Sequence, residues 1–432
     1  MALFFCGSVM NRLSDRIRNQ YEQYPYPARR PEDELTRLLP TVGDNLHAIS
    51  HYCFRGALRP DAGFRALVAG GGTGDAVIYL AEQLKQVNAT VVYLDPSPAA
   101  RRIAMDRARY RKLDNIEWHT ADIGSLAHCP PERFDYINCS GVLHHLPDPD
   151  SALRTLAAQL KPDGAIYLML YGRHGRTAVY PMQDLLRKIC DRSAPLQEKV
   201  RTTRSVLANL PVTNWFRRDI EAWQRELDFD INGDTGLVDL LLHAQDRAYD
   251  VGELVALAGG ADLQFVDFVG PDKRNYQLET HVTDAALLKR LSTLDPVARW
   301  EVAESLYGRI SKHQFYLSKQ PDTQARLGDL ENSVVLSDAL AGKHQQIARL
   351  IKPGEPLKIG YRVEGRMYEF ELAGTRSLQL LFSLFDGNTT LHDAIDTCKR
   401  QLPGVAESRL VEEIRSVFEL LHPVGCAYLR RP

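Results

Sequence analysis

Gly70, Gly72 and Gly74 form a Gly-x-Gly-x-Gly turn directly after the apolar residues 67–69, and Asp95 closes the next apolar run, 89–94. Glycines at such a corner let the backbone pass beneath a ligand where any Cβ would collide. An acid at the end of the following strand is placed to accept both hydroxyls of a ribose. Together they point to a ligand with an adenosine end. A dinucleotide site asks for Gly-x-Gly-x-x-Gly, and the closer spacing here, with Thr73 inside it, departs from that pattern. No Gly-Lys-Ser/Thr follows, which excludes a triphosphate loop.

Holding these residues takes a strand, a helix and a second strand. Residues 67–69 read as a short buried strand, 75–84 as a helix with Ala76, Tyr79, Leu80 and Leu84 at helical spacing, and 89–94 as the second strand. The run 66–74 resembles motif I of class I S-adenosylmethionine (SAM)-dependent methyltransferases, and three further segments continue the resemblance in order. Residues 117–123 are similar to the third strand and its acid, 134–149 to the fourth strand and the loop after it, and 160–170 to the helix, Pro-Gly turn and fifth strand. The resemblance spans roughly residues 60–175. It implies a seven-stranded, mostly parallel α/β sheet, SAM as cofactor and methyl transfer as the reaction. It also implies cofactor contacts from Gly70, Gly72, Gly74 and Asp95, an adenine flanked by Asp122 and Ile123, and Ser140, Gly141 and Val142 beneath the methionine portion. One position departs. Val68 stands where the family usually has an acid that helps hold the methionine amino group. That departure keeps a non-catalytic SAM-binding or scaffold protein as an alternative.

Methyl transfer is a displacement at a sulfonium carbon with a neutral leaving group, so the protein mainly aligns the nucleophile and, where needed, removes its proton. Candidate catalytic residues are therefore few. His144, in the loop after the fourth strand, is a candidate base, because imidazole takes a proton near neutral pH. His145 supports the loop in the family's pattern, and Asp148 reads as a helix N-cap. Tyr171 and Arg173 follow the fifth strand, and ligands in open α/β sheets sit beyond the carboxyl ends of strands. Tyr171 is the second catalytic candidate, and Arg173 a substrate contact.

Two more segments are candidates for the acceptor. Tyr21, Tyr24 and Tyr26 lie in Tyr-Glu-Gln-Tyr-Pro-Tyr-Pro, where the prolines favour extended backbone and hold the tyrosines along one strip. The segment resembles one found ahead of the catalytic domain in some bacterial methyltransferases, and reads either as a lid or as a strap over an apolar patch. His243, Arg247 and Tyr249 crowd beside an apolar helix, with Asp250 as a helix cap.

The chain has 432 residues, enough for two or three domains, and its net charge of −2 supplies no basic field for nucleic acid. No stretch reaches the ~18 apolar residues that span a bilayer. Residues 1–10 lack the layout of a signal peptide, and the seven cysteines are scattered without a Cys-x-x-Cys pair. These features favour a reduced, cytoplasmic setting with no metal site and no membrane, and leave the oligomeric state open, a dimer included.

Residues 1–56 read as a helical N-terminal cap interrupted by the Tyr/Pro segment, 57–320 as the methyltransferase domain with a helical insertion at 181–260, 320–332 as a polar linker, and 333–432 as a small α+β winged-helix-like domain. Leu185, Leu186, Ile189, Trp215, Phe216, Ile220 and Trp223 are the insertion's expected apolar anchors. The C-terminal pattern resembles the C-terminal domains of bacterial protein-lysine methyltransferases and the peptide-binding PqqD-like modules. That resemblance implies a protein or peptide side chain as methyl acceptor. A small-molecule acceptor is the alternative.

Overall fold

The computed structural model describes residues 12–432 apart from 192, 229–231, 338–339 and 364–365. The expected apolar run at 1–10 lies outside the described residues, as does the tip of the C-terminal hairpin.

Two helices open the chain, α1 (Arg12–Gln23) and α2 (Leu46–Cys53). Strands and helices then alternate as β1 (Phe64–Ala69), α3 (Asp75–Gln83), β2 (Ala89–Asp95), α4 (Pro98–Arg111), β3 (Ile116–Thr120), β4 (Phe134–Ser140), α5 (Pro149–Gln159) and β5 (Leu160–Tyr171). The insertion follows as α6 (Val179–Ile189), α7 (Leu196–Ala208), α8 (Trp215–Arg218), α9 (Gln224–Leu227), α10 (Gly233–Leu241) and α11 (Val251–Gly259). The sheet closes through β6 (Gln264–Phe268), α12 (Ala285–Leu291), α13 (Pro296–Tyr307) and β7 (Lys312–Ser318). The strand order is β3-β2-β1-β4-β5-β7-β6, with β7 antiparallel to both neighbours. β1, β2 and β4 are buried along most of their length because helices cover both faces of the sheet. Helix starts are marked where the sequence placed them: Asp148 caps α5 on Ser151 N–H, and Asp250 with Glu253 forms a full capping box at α11.

The N-terminal segment is less helical than expected. Between α1 and α2, residues 24–45 run as irregular chain with two short 3-10 turns. Pro25, Pro27 and Pro31 each lack the N–H that a continuing helix needs.

Of the insertion's expected anchors, Leu186, Phe216 and Trp223 are buried, and Leu185, Ile189 and Trp215 are not. Val179, Met182 and Leu186 of α6 pack with Phe216, Trp223, Leu240 and Leu241, whereas Leu185, Ile189 and Trp215 are exposed. The buried positions fall three and four apart, so Leu185 and Ile189 turn outward.

The C-terminal unit comprises β8 (Ser333–Leu336), α14 (His344–Leu350), the hairpin β9 (Pro356–Val363) and β10 (Arg366–Ala373), α15 (Arg376–Ser383), α16 (Leu391–Gln401), α17 (Glu407–Leu421) and β11 (Ala427–Arg430). It has its own apolar core around Leu381, Phe382, Leu410, Leu421 and Cys426, and β11 pairs antiparallel with β8. The polar stretch before it is hydrogen-bonded to the end of α2. Arg55 N–H donates to Thr323 O at 2.6 Å, Ala325 N–H to His51 O at 2.7 Å, and Thr323 Oγ1 to Tyr52 O at 2.8 Å. Thr323 and Ala325 thereby satisfy carbonyls at the carboxyl end of α2.

Candidate cofactor and acceptor site

Asp95 ends β2 with its carboxylate beneath the glycine turn. It accepts Gly72 N–H and Ser97 N–H, each at 2.8 Å. Burial pushes its carboxyl up to about 6 against those two bonds. Gly72 has φ +49°, and a Cβ there would lie 2.7 Å from the carbonyl oxygen of Tyr26. Gly74 is placed differently from Gly72. A Cβ on it would meet Ala104 of α4 at 2.8 Å, so it is a packing glycine between two helices and does not face the turn's open side. Val142 lies against Gly70, which joins the loop after β4 to the glycine turn. Gly141 N–H donates to Met169 O at 3.1 Å, and Ser140 and Gly141 are half-buried. Asp122 caps the short helix after β3 by accepting Ser125 N–H at 3.0 Å, with Ile123 buried beside it.

The segment 24–29 crosses directly over this turn. Tyr26 O accepts Thr73 N–H at 3.3 Å, and Thr73 Oγ1 donates to Pro27 O at 2.6 Å. Arg29 then grips Asp75, the first residue of α3, through two bonds of 2.8 and 2.5 Å. The buried Arg107 of α4 bonds Asp75 at 2.7 Å, Thr73 O at 2.8 Å and Glu34 at 2.7 Å, and Arg111 also binds Glu34. Sequence reasoning missed this network. Its signal was present as the acidic run Glu32, Asp33, Glu34 against the arginine-rich α4.

The three tyrosines diverge instead of lining one strip. Tyr24 packs against Val200, Leu237 and Val238 of the insertion. Tyr26 supplies its carbonyl to the glycine turn. Tyr21 enters a buried polar cluster above the strand ends, where its hydroxyl donates to Asp239 Oδ1 at 3.1 Å and lies 3.2 Å from His243 Nε2. Tyr171 donates to Asp239 Oδ2 at 3.1 Å. The Tyr171 ring is stacked on His144 with centroids 3.7 Å apart, and the Arg176 guanidinium covers it at 3.6 Å. His145 stacks on His243 at 3.6 Å.

Hydrogen bonds fix the protons here. His145 Nδ1 faces Gln245 O at 2.9 Å and must donate, so its Nε2 keeps a free lone pair. His243 Nδ1 accepts Gln245 N–H at 3.1 Å, so its Nε2 carries the hydrogen and donates to Tyr21. Burial lowers His145 to about 4 and His243 to about 3, and holds His144 well below the ordinary imidazole value. Burial raises Asp239 above the usual carboxylate range. One ligand atom each of His145, Asp239 and His243 lies within 4.8 Å of the others, the spacing of a metal cluster. His243 argues against that use, because the Gln245 N–H holds its free lone pair on the nitrogen turned away.

Arg173, Arg247 and Tyr249 are not brought into this cluster. Arg173 pairs with Asp250 and Glu253 at the start of α11, and Arg247 lies over the Tyr249 ring at 4.6 Å. Tyr249 is buried and exchanges backbone hydrogen bonds with Tyr171 and Arg173, which staples the insertion to the end of β5. Beside it opens a cleft of about 1260 Å³, bordered by His174, Trp215, Trp223, Arg274, Tyr307 and Met367 of the C-terminal hairpin. It adjoins the end of β5 and does not include the glycine turn, which the 24–29 segment covers.

Comparison with known proteins agrees with this geometry. A family model described as a methyltransferase domain matches residues 67–166. An uncharacterised protein of Synechococcus is 29% identical over 322 residues, 73% of this chain and 74% of its own. The ubiquinone biosynthesis O-methyltransferase of Albidiferax ferrireducens is 30% identical over 134 residues, 31% of this chain and 49% of its own, so the chain spans about half the length of that relative. The structure of PKMT2 from Rickettsia typhi in complex with AdoHcy superposes with a TM-score of 0.61 at 13% identity, covering 92% of this chain and 76% of that one. At that identity the likeness concerns the fold, and it extends through the C-terminal unit. Residues 67–166 thus match a methyltransferase domain, and the glycine turn and the sheet order give the chain the fold of class I S-adenosylmethionine-dependent methyltransferases.

Proposed function

We propose that the chain transfers the methyl group of SAM to a side chain of a protein or peptide. The observation that carries the acceptor class is the cleft beyond β5. At about 1260 Å³ it exceeds the ~300–1,000 Å³ usual for small-molecule pockets, and one rim is the exposed Met367 of the C-terminal hairpin.

The residues fit the cofactor. Asp95 uses one hydrogen bond on each oxygen, which leaves acceptor capacity for two ribose hydroxyls. Gly70 and Gly72 would let the backbone run beneath SAM, Asp122 and Ile123 would flank its adenine, and Ser140, Gly141 and Val142 would underlie its methionine portion. Bound SAM supplies an activated methyl group on a sulfonium. The chain's own task is to align the nucleophile and exclude water. His144 and Tyr171, stacked at the ends of β4 and β5, form the wall against which the acceptor is aligned. The half-buried strap and α1 close the opposite side.

The test is transfer of tritiated methyl from SAM to a bacterial protein fraction, followed by protease treatment. Label that is macromolecular before digestion and small afterwards supports the reading. Label confined to the small-molecule fraction before digestion overturns it in favour of a small acceptor.

A further inference from the structure

Asp239 is 5% exposed and forms no ion pair among the described residues. Its oxygens are met by two phenolic hydroxyls, one from α1 and one from the end of β5. The nearest guanidinium, Arg176, is committed to Asp246 at 2.8 Å and to the face of Tyr171. A carboxylate removed from water without a counter-charge is strongly disfavoured, so the site asks for a cation or a proton. The unused valences around it are acceptors: the remaining lone pairs of Asp239 and of the tyrosine oxygens, and Nε2 of His145. His144 lies against the same tyrosine, 1% exposed, with no hydrogen-bond partner on either ring nitrogen among the described residues.

The cluster also sits where the methyl group must be delivered. Tyr21 neighbours Glu22, whose carboxylate takes Ser97 Oγ at 2.9 Å, two residues past Asp95. His144 follows Val142, which touches Gly70. The ribose acid and the Asp239 cluster therefore bracket the space above the ends of β2, β4 and β5.

Building on the methyl-transfer reading above, we infer that Tyr21, Asp239 and Tyr171 seat the ammonium group of an amine acceptor. Asp239 takes one N–H proton. The freed nitrogen pair forms the N–C bond to the methyl as the C–S bond breaks, and sulfur keeps that pair. The products are neutral S-adenosylhomocysteine (SAH) and an N-methylammonium, and the proton on Asp239 returns to solvent as the product leaves.

The test uses the full chain saturated with SAH and titrated calorimetrically with n-butylammonium chloride and, separately, n-butanol. Saturable binding of the ammonium and none of the alcohol is expected. Asp239→Asn should weaken ammonium binding about tenfold or more, the loss of one charge-assisted contact, with SAH affinity unchanged. Equal binding of alcohol and ammonium, no saturable ammonium binding, or full ammonium binding by Asp239→Asn would overturn the inference. So would a stoichiometric divalent metal in the purified protein that Asp239→Asn lacks. If Asp239→Asn fails to fold, the wild-type contrast between ammonium and alcohol decides alone. Failure of the wild type to bind SAH at all would be a separate result, removing the methyl-transfer reading and this one with it.

Discussion

At the scale of single residues, Asp95 makes SAM binding a function of pH. Its carboxyl sits at about 6, above the ordinary ~3.9 of an aspartate. Between those two values the folded chain holds a proton that the unfolded chain has lost. The group therefore contributes less to stability as pH rises through this window. Ribose hydroxyls need the ionised form, so SAM affinity should fall by up to about tenfold per unit as pH drops below 6. Calorimetric titration from neutral pH downwards checks this, and a flat profile would contradict it. Gly72→Val should remove SAM binding without unfolding the chain, because its Cβ strikes the Tyr26 carbonyl and displaces the strap; thermal melts beside the SAM titration separate the two effects. The glycine turn and Asp95 were legible in the sequence because a local spacing encodes them. Asp239 was not. It is one of two acids on the helix Gly233–Leu241, and its partner Tyr21 lies 218 positions away. Only the fold brings the two together.

At the scale of elements, the strands and helices of the sheet were readable because apolar periodicity and caps agree along 64–171. The strap was read as a strip of tyrosines, and the structure uses its backbone as much as its rings. Proline-rich chain lacks internal hydrogen bonds, so its carbonyls are free to serve the glycine turn. Arg107 anchors this arrangement. Arg107→Met leaves the buried Glu34 and the half-buried Asp75 with one cation fewer, and should cost roughly 3–5 kcal/mol in denaturant unfolding. Loss of under about 1 kcal/mol, the level of an exposed pair, would show that the network is not buried in solution. Deleting residues 1–30 removes Tyr21, Tyr26 and Arg29 together, and turnover should fall further than melting temperature. The reverse result would reduce the segment to a cover for apolar surface.

At the scale of the whole molecule, the C-terminal unit has its own core yet shares a seam with the sheet. Tyr52 Oη meets His422 Nε2 at 3.0 Å, and Lys273 Nζ donates to Tyr52 Oη and Asp267 at 2.8 Å each. Val335 and Tyr428 pack into the apolar cluster on the sheet's α2 side. Sequence pattern alone suggested a free-standing module, because the contacts that dock it are single residues scattered from 51 to 428. A fragment of residues 1–325 should therefore melt lower than the full chain while still binding SAM. Equal melting temperatures would show that the seam contributes nothing. The account as a whole rests on SAM being held by Asp95 under the glycine turn. Titrating SAM and SAH into the wild type and into Asp95→Ala tests that directly. Saturable binding to the wild type and none to the variant is expected, since each lost charge-assisted bond is worth ~1.5–3 kcal/mol. A wild type that binds neither, or a variant with unchanged affinity, would contradict it.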